Sequence, residues 1–127
     1  MIVFDQVTIR FGNGTIALDD VSFAIGAGEF VVIEGASGAG KTSLMRVMIK
    51  DIIPVKGKVV IDGDDVSRIG PKNIPLLRRK VGVVFQDFKI LFDRTVAENI
   101  DLALDILGLD QATTTKRRTE LLELTGL

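Results

Sequence analysis

Apolar residues in the first part of the chain form three short runs, and each has a pattern that predicts a β-strand. Residues 2–10 are rich in β-branched and aromatic side chains, and the Gly-Asn-Gly cluster at 12–14 predicts a turn after them. Residues 21–25 alternate large apolar with small side chains. Residues 30–33, Phe-Val-Val-Ile, have the continuous apolar character of a buried parallel strand. We therefore expect three strands before the first helix, the first of them the arm of a hairpin.

The rest of the chain is expected to alternate helices with further strands. Residues 95–98 have the Thr-x-x-Glu spacing of a capping box, which marks the start of a helix. Residues 81–85, Val-Gly-Val-Val-Phe, form a second buried-strand pattern. The predicted helices cover residues 43–50, 74–80, 95–107 and 116–126, the last with leucines 121, 122 and 124 facing inward. The predicted strands cover residues 58–61, before an Asp-Gly turn, and 81–85.

Between the third strand and the first helix lies a motif that carries chemistry. Residues 35–42 have the sequence Gly-Ala-Ser-Gly-Ala-Gly-Lys-Thr, which fits the phosphate-loop pattern at every constrained position. Glycines let backbone N–H groups approach a polyphosphate, and the start of the helix adds unpaired amides and a positive dipole end. Lys41 is expected to reach the β- and γ-phosphates, and Thr42 to offer a hydroxyl oxygen to Mg²⁺. The predicted binding residues are Gly35, Ser37, Gly38, Ala39, Gly40, Lys41, Thr42 and Ser43. The alternative is a glycine-rich turn that binds nothing.

Three residues outside the loop have both a functional and a structural interpretation. Phe11 could stack on a nucleotide base, or it could be a core phenylalanine. Asp62 follows an apolar strand, as Mg²⁺-binding carboxylates do, but the Asp-Gly-Asp-Asp cluster that it opens is ordinary turn chemistry. Gln86 ends a predicted strand, where parallel sheets place ligands, and could orient water or contact Mg²⁺. Its alternative is a loop residue satisfied by the backbone.

The composition limits the catalytic and metal-binding chemistry that the chain can carry out. The chain has 127 residues with no cysteine, no histidine and a net charge of −1. Without cysteine there are no disulfides or thiolate metal sites, and without histidine the commonest general base is missing. No apolar run approaches the roughly 20 residues of a membrane span, and no secretory signal opens the sequence, so we expect a cytoplasmic protein. The basic runs at 78–80 and 116–118 are expected to be solvated surface, and no nucleic-acid partner is expected.

The order of these features resembles the N-terminal half of an ABC-type ATPase domain. Antiparallel strands, an aromatic residue near position 11, the phosphate loop and a strand ending in glutamine follow one another over the whole chain. Within that family, residues 81–91, 93–96 and 98–99 are most similar to the FtsE-like members that act in cell division. The resemblance implies an α/β fold: a partial P-loop NTPase core with an N-terminal antiparallel β subdomain, truncated before the signature motif and the Walker B strand. Residues from about 95 to 127 would begin the helical subdomain.

The resemblance also implies roles for residues outside the loop. Phe11 matches the adenine-stacking aromatic residue, which is usually tyrosine. Gln86 matches the Q-loop glutamine, which belongs to the catalytic site and touches both Mg²⁺ and the membrane-subunit interface. The implied ligands are ATP and Mg²⁺, with Thr42 and Gln86 on the metal, and the implied partner is an FtsX-like integral membrane subunit on the inner face of the cell membrane. Phe92 departs from the family, where a proline is common, in the region that couples to that partner.

Three family motifs that follow the Q-loop do not occur in these 127 residues. They are the Leu-Ser-Gly-Gly signature, an apolar strand ending in Asp-Glu, and a switch histidine. The glutamate is the family's catalytic carboxylate, and the signature completes a partner's site across a dimer. The resemblance therefore implies that the chain is inactive alone. It also implies that residues 30–33, without the strands that flank them in the family, make the chain self-associate.

Several functions remain open at this point. The first is the ATP-binding part of an FtsE-like ATPase that couples ATP binding and hydrolysis to a membrane partner in cell division. A related subunit of a lipoprotein or macrolide exporter shares much of the pattern. A small P-loop kinase would have the same loop, but three strands before the loop argue against it. A non-catalytic module that keeps only the partner-docking surface is the fourth.

Overall fold

Residues 2–25 form a β-hairpin, as their alternating pattern and glycine-rich turn predict. In a computed structural model that describes residues 1–127, β1 (Ile2–Arg10) pairs antiparallel with β2 (Ile16–Ile25). The N–H of Gly14 donates to the carbonyl of Phe11 at 2.9 Å and closes the turn between them. The predicted hairpin is thus confirmed, although β2 begins at Ile16 rather than at residue 21.

Two further strands extend the hairpin into a four-stranded antiparallel sheet with the order β2-β1-β3-β4. β3 (Lys56–Ile61) pairs with β1, and β4 (Asp64–Asp65) pairs with β3. Asp62 and Gly63 form the turn between β3 and β4, which confirms the structural interpretation of Asp62. The amino terminus of Met1 donates to the Asp62 carboxylate at 2.6 Å, and this hydrogen bond lowers the pKa of Asp62.

The first helix covers one face of this sheet and closes the core. α1 (Lys41–Met48) contacts β2 and β3, with Leu44 and Val47 buried. Two short 3-10 turns, Val66–Arg68 and Pro71–Asn73, lead into α2 (Ile74–Lys80) at the predicted bounds. The hydrophobic core consists of Phe4, Val7, Ile9, Leu18, Leu44, Val47, Val59, Ile61, Val66 and Leu77. These elements belong to the first of two compact units, Met1–Val83.

Two predicted strands, residues 30–33 and 81–85, are wrong as secondary structure. Neither run pairs with another segment. Neither is buried throughout, as the exposed fractions of 93% at Phe30 and 89% at Val84 show. A strand exists only where a neighbour accepts and donates its backbone hydrogen bonds, and the sheet of this chain ends at β2 and β4. The apolar pattern identified segments able to form strands, but neither segment is paired in this structure.

The second unit, Val84–Leu127, contains two packed helices. α3 (Val96–Ile106) confirms the helix predicted after Thr95. α4 (Gln111–Thr125) begins earlier than the predicted residue 116, because the Asp110 carboxylate accepts from the Thr113 N–H at 3.0 Å and caps it there. An ion pair of 2.6 Å between the Asp101 carboxylate and the Arg118 guanidinium joins the helices.

The inward orientation predicted for the leucines of α4 holds for two of the three. Leu122 is half-buried, Leu121 lines a groove together with Ile100 and Leu104 of α3, and Leu124 is exposed. The face that α4 turns to α3 also carries Thr114, which is buried, and Arg118, four residues later on the same side of the helix. No helix of the chain combines the length and apolar character that crossing a bilayer requires.

The hydrogen bonds of the capping box at the start of α3 predict how the stability of the fold depends on pH. Glu98 Oε2 accepts from the Thr95 N–H at 2.7 Å and from the Thr95 hydroxyl at 2.8 Å, and these bonds lower the pKa of Glu98 in the fold. Because the folded pKa lies below the unfolded value, the stabilisation is fully present above the ordinary pKa of about 4.5 and is lost as pH falls through the folded pKa. We expect NMR titration of the Glu98 carboxyl carbon to give a midpoint below that ordinary value.

Two substitutions of Thr95 measure how much its hydroxyl contributes to the low pKa of Glu98. Thr95→Ala removes one of the two donors and should raise the pKa of Glu98, whereas Thr95→Ser keeps the hydroxyl and should leave it low. The alanine variant should also destabilise α3 by about 0.5–2 kcal/mol. Equal midpoints in the two variants would show that the hydroxyl has no part in the low pKa.

Candidate functional site

The end of the phosphate loop is held against β2 by close backbone packing. Gly40, the residue before α1, has φ +93°. A Cβ built on it would lie 2.3 Å from the carbonyl oxygen of Ala17 and 2.8 Å from a methyl carbon of Leu18. Only glycine meets both conditions, because other residues are strained at this φ and would overlap the strand. The packing of Gly40 on β2 therefore fixes the conformation at the end of the phosphate loop.

Lys41, the first residue of α1, folds its side chain back over the loop. Its Nζ donates to the carbonyl of Gly35 at 2.6 Å and to that of Ala36 at 2.8 Å. These two bonds hold the ammonium on the loop that the sequence identifies as the phosphate site. A bound phosphate would compete with the two carbonyls for the ammonium protons, since an ionised acceptor forms the stronger hydrogen bond.

The start of α1 presents backbone donors that the protein does not use. The helix has no side-chain cap, and its first i to i−4 bond runs from the Leu44 N–H to the Gly40 carbonyl at 3.0 Å. The N–H groups of Lys41, Thr42 and Ser43 therefore have no helical acceptor. Ser37, Gly38, Ala39 and Thr42 are exposed, whereas the Ser43 side chain is buried, so the donor that Ser43 can offer is its backbone amide. Such a set of amides at a helix N-terminus favours an anion.

The residues present suit a magnesium ion that arrives with its nucleotide. No group of three or more acidic side chains is placed to hold a metal ion. Mg²⁺ usually takes one or two protein ligands and completes its shell with water and phosphate oxygens. The exposed Thr42 hydroxyl fits the role of one such ligand. The phosphates would have to supply the charge that the protein site lacks.

Phe11 lies at the end of the sheet that supports the loop. Phe11 follows Arg10, which pairs with Ile16 of β2. The residue after Ile16 is Ala17, whose carbonyl lies against Gly40. The side chain packs partly against the core and is partly exposed. A ring in this position contributes to the core and still leaves surface for a base. The stacking role of Phe11 stays a prediction.

Gln86 belongs to the second unit, in a turn at residues 86–89. Its side chain is exposed and makes no hydrogen bond within the chain. Next to it, the Asp87 carboxylate accepts from Lys89 Nζ at 2.5 Å, which lowers the pKa of Asp87. The same ammonium lies 5.8 Å from the centre of the Phe85 ring. The proposed catalytic and metal roles of Gln86 stay predictions of the resemblance.

Asn99 has a structural role that the sequence reasoning did not assign. Its Oδ1 accepts from the Leu91 N–H at 2.9 Å, and its Nδ2 donates to the Leu91 carbonyl at 3.0 Å and to the Thr95 carbonyl at 2.9 Å. One amide thus satisfies both backbone groups of Leu91 and fixes the segment before α3. The only signal in the sequence was the adjacent pair 98–99, which carried part of the family resemblance without a physical reason.

The sequence matches ABC transporter proteins over most of its length. The sequence model of the ABC transporter family matches residues 18–127. The chain is 42% identical over 127 residues to the cell division ATP-binding protein FtsE of Bacillus subtilis, which covers all of this chain and 56% of that protein. It is 41% identical over 128 residues to the methionine import ATP-binding protein MetN of Caulobacter vibrioides, covering 39% of it. The chain therefore spans about half the length, or less, of these curated relatives.

Solved structures agree with the sequence matches. The dimeric structure of MJ0796, a bacterial ABC transporter cassette, superposes with a TM-score of 0.85 at 31% identity. A second MJ0796 structure, a dimeric post-hydrolysis state bound to ADP and Pi, gives a TM-score of 0.84 at 30% identity. In both cases the match covers 100% of this chain and 58% of the other. The predicted fold class, a partial ABC ATPase fold with an N-terminal antiparallel sheet, is confirmed, and the chain belongs to the ABC transporter family.

Proposed function

We propose that this chain is the nucleotide-binding part of an FtsE-like ABC ATPase, which couples ATP binding and hydrolysis to an FtsX-like membrane subunit in cell division. The observation that carries the proposal is the start of α1. There a lysine ammonium held on the loop, unpaired helix amides and a glycine seated on β2 meet within one loop. The identity to FtsE over the whole chain supports the cell-division assignment.

Each part of the loop has a distinct task in this proposal. The free amides at the start of α1 would donate to the phosphate oxygens, and the Lys41 ammonium would exchange its hydrogen bonds to the Gly35 and Ala36 carbonyls for hydrogen bonds to the β- and γ-phosphates. Thr42 would hold the Mg²⁺ that arrives with the nucleotide, and the metal would neutralise phosphate charge. Phe11 would cover the base. By family resemblance, Gln86 would be a second metal ligand and the link to the membrane partner.

Methionine import is a second candidate function. MetN proteins from several bacteria are 39–44% identical to the chain, which is close to the identity of the FtsE proteins. The nucleotide site is the same in both proposals, so the two differ only in the membrane subunit. Co-purification of the chain with an FtsX-like subunit or with a methionine permease subunit separates them, and binding to the permease alone would overturn the cell-division assignment.

We expect the chain alone to bind ATP without hydrolysing it. Hydrolysis needs a group that orients and activates water, and the family's carboxylate for that step does not occur in these residues. A phosphate-release assay with Mg-ATP should therefore stay at the rate measured without protein. Sustained release that disappears in Lys41→Ala but persists in Lys72→Ala would show that the mechanism is wrong and would favour a P-loop kinase class.

A further inference from the structure

Two cationic side chains tie the C-terminal end of α1 to the segment that follows it. Lys50 lies just beyond the helix, and its Nζ donates to the carbonyl of Ser67 at 2.9 Å and to the carbonyl of Ile69. Arg78 of α2 donates from its Nε to the carbonyl of Ile49 at 3.1 Å. Ile49 is the C-terminal cap of α1, where carbonyls have no helical donor. These three bonds, the C-terminal contacts of α1, therefore join the helix to the part of the chain that leads into α2.

Buried neighbours hold the partners of these bonds in place. Ser67 lies in a 3-10 turn next to Val66, which is buried in the core. Arg78 lies in α2 next to Leu77, which is buried in the same core. Because the partner segments are anchored, the C-terminal contacts hold the end of α1 at one position in the first unit. The opposite end of the helix is held by Gly40 on β2.

The backbone at Lys50 indicates that its side chain has a role beyond ending the helix. Lys50 has φ +51°, a left-handed conformation that glycine adopts without strain at the residue after a helix. A lysine is strained there, but its ammonium supplies two of the C-terminal contacts, which a glycine cannot. Strained residues that the surrounding structure holds in place concentrate at functional sites. The strain therefore points to a function for the end of α1.

We propose that Lys50 and Arg78 are positioning residues for the phosphate site, which they orient through α1. This role rests on the proposed function, because the groups that meet the phosphates are the free amides and the Lys41 ammonium at the start of this helix. α1 has eight residues, so it is about 12 Å long and contains about two turns. Release of its C-terminal end tilts such a short helix and turns all of its free amides away from the phosphates together. Hydrogen bonds weaken steeply with misalignment, so a small tilt lowers the affinity.

Calorimetry of Mg-ATP with three variants, each measured below its unfolding temperature, tests the proposal. Lys50→Gly relieves the strain and removes the ammonium, and Arg78→Ala removes the guanidinium. Each should bind about five- to tenfold more weakly than wild type, the equivalent of one hydrogen bond. Arg46→Ala is the matched control, because Arg46 is a cation of the same helix whose ion pair of 2.6 Å, with Asp51, stays at that helix end. It should bind like wild type.

The affinity of the folded protein separates a positioning role from a purely structural one. A role limited to stability would lower the unfolding temperature of Lys50→Gly and Arg78→Ala without changing their affinity. Wild-type affinity in these two variants, or an equal loss in Arg46→Ala, would overturn the positioning role and leave the proposed function standing. A wild-type chain that binds no Mg-ATP would overturn both.

NMR of the wild-type chain tests the same link from the other direction. If the position of α1 sets the affinity for phosphate, phosphate must in turn stabilise the C-terminal contacts, because coupling between two sites is reciprocal. Saturation with Mg-ATP should therefore slow solvent exchange of the Arg78 Nε–H by about five- to tenfold. The Nε–H of Arg46, which is bonded to Asp51, should be unchanged. Equal exchange of the Arg78 Nε–H with and without nucleotide would contradict the positioning role.

Discussion

Replacing Gly40 with alanine is expected to destabilise the first unit by about 2–5 kcal/mol and to abolish nucleotide binding. At φ +93° an L-residue is strained by about 1–2 kcal/mol. The added Cβ would also overlap the carbonyl of Ala17, a backbone atom that cannot move without distorting β2. Overpacking of this kind costs about 1–3 kcal/mol more. Relief of the overlap would lift the loop from the strand and misplace the amides at the start of α1.

Gly63→Ala is the matched control for this prediction. Gly63 has a similar φ of +88° and lies in the turn between β3 and β4, where an added Cβ meets nothing within 4 Å. It should show the conformational strain alone and leave nucleotide affinity unchanged. Thermal unfolding and Mg-ATP titration of the two variants separate strain from overlap. If Gly40→Ala and Gly63→Ala lower the free energy of unfolding by the same amount, the packing of Gly40 on β2 does not contribute to stability.

Local signals in the sequence predicted α2 at its observed bounds and α3 within one residue of them, whereas α1, which has no side-chain cap, begins and ends two residues earlier than predicted. The capping box of α3 forms as predicted, with Thr95 and Glu98 bonded in both directions. α2 occupies the predicted residues 74–80. The start of α4 was missed, although Asp110 and Thr113 have the spacing of an N-cap and its bonded N–H. These elements need only residues within three or four positions to be specified.

Elements that depend on distant residues were predicted less well. Residues 30–33 and 81–85 have the composition of buried strands, but strand formation needs a paired neighbour, and neither run has one in this structure. The packing of Gly40 on Ala17 joins residues far apart in sequence, so the motif alone showed that a glycine is required but not why. Leu124 of α4 was mispredicted as inward, because the buried Thr114 and the ion pair between Asp101 and Arg118 set the side of the helix that meets α3. Tertiary contacts of this kind leave no periodic pattern.

The sequence therefore predicted the phosphate-loop part of the candidate site, but it left the roles of Phe11 and Gln86 open. Residues 35–43 are contiguous, and their chemistry follows from backbone geometry at a helix start. Phe11 reaches the same end of the sheet only through the register of β1 and β2. The family resemblance suggested that Phe11 lies near the phosphate loop, but the spacing of the residues alone could not.

The central claim, that the loop binds a magnesium nucleotide through Lys41, is tested most directly by isothermal calorimetry of Mg-ATP with wild type and Lys41→Ala. The ammonium should contribute a charge-assisted interaction of about 1.5–3 kcal/mol, so the variant should bind roughly 10- to 150-fold more weakly. Lys72→Ala removes the same charge from an exposed lysine outside the loop and should bind like wild type. Equal affinities in wild type and Lys41→Ala, or no binding of Mg-ATP to wild type, would contradict the account.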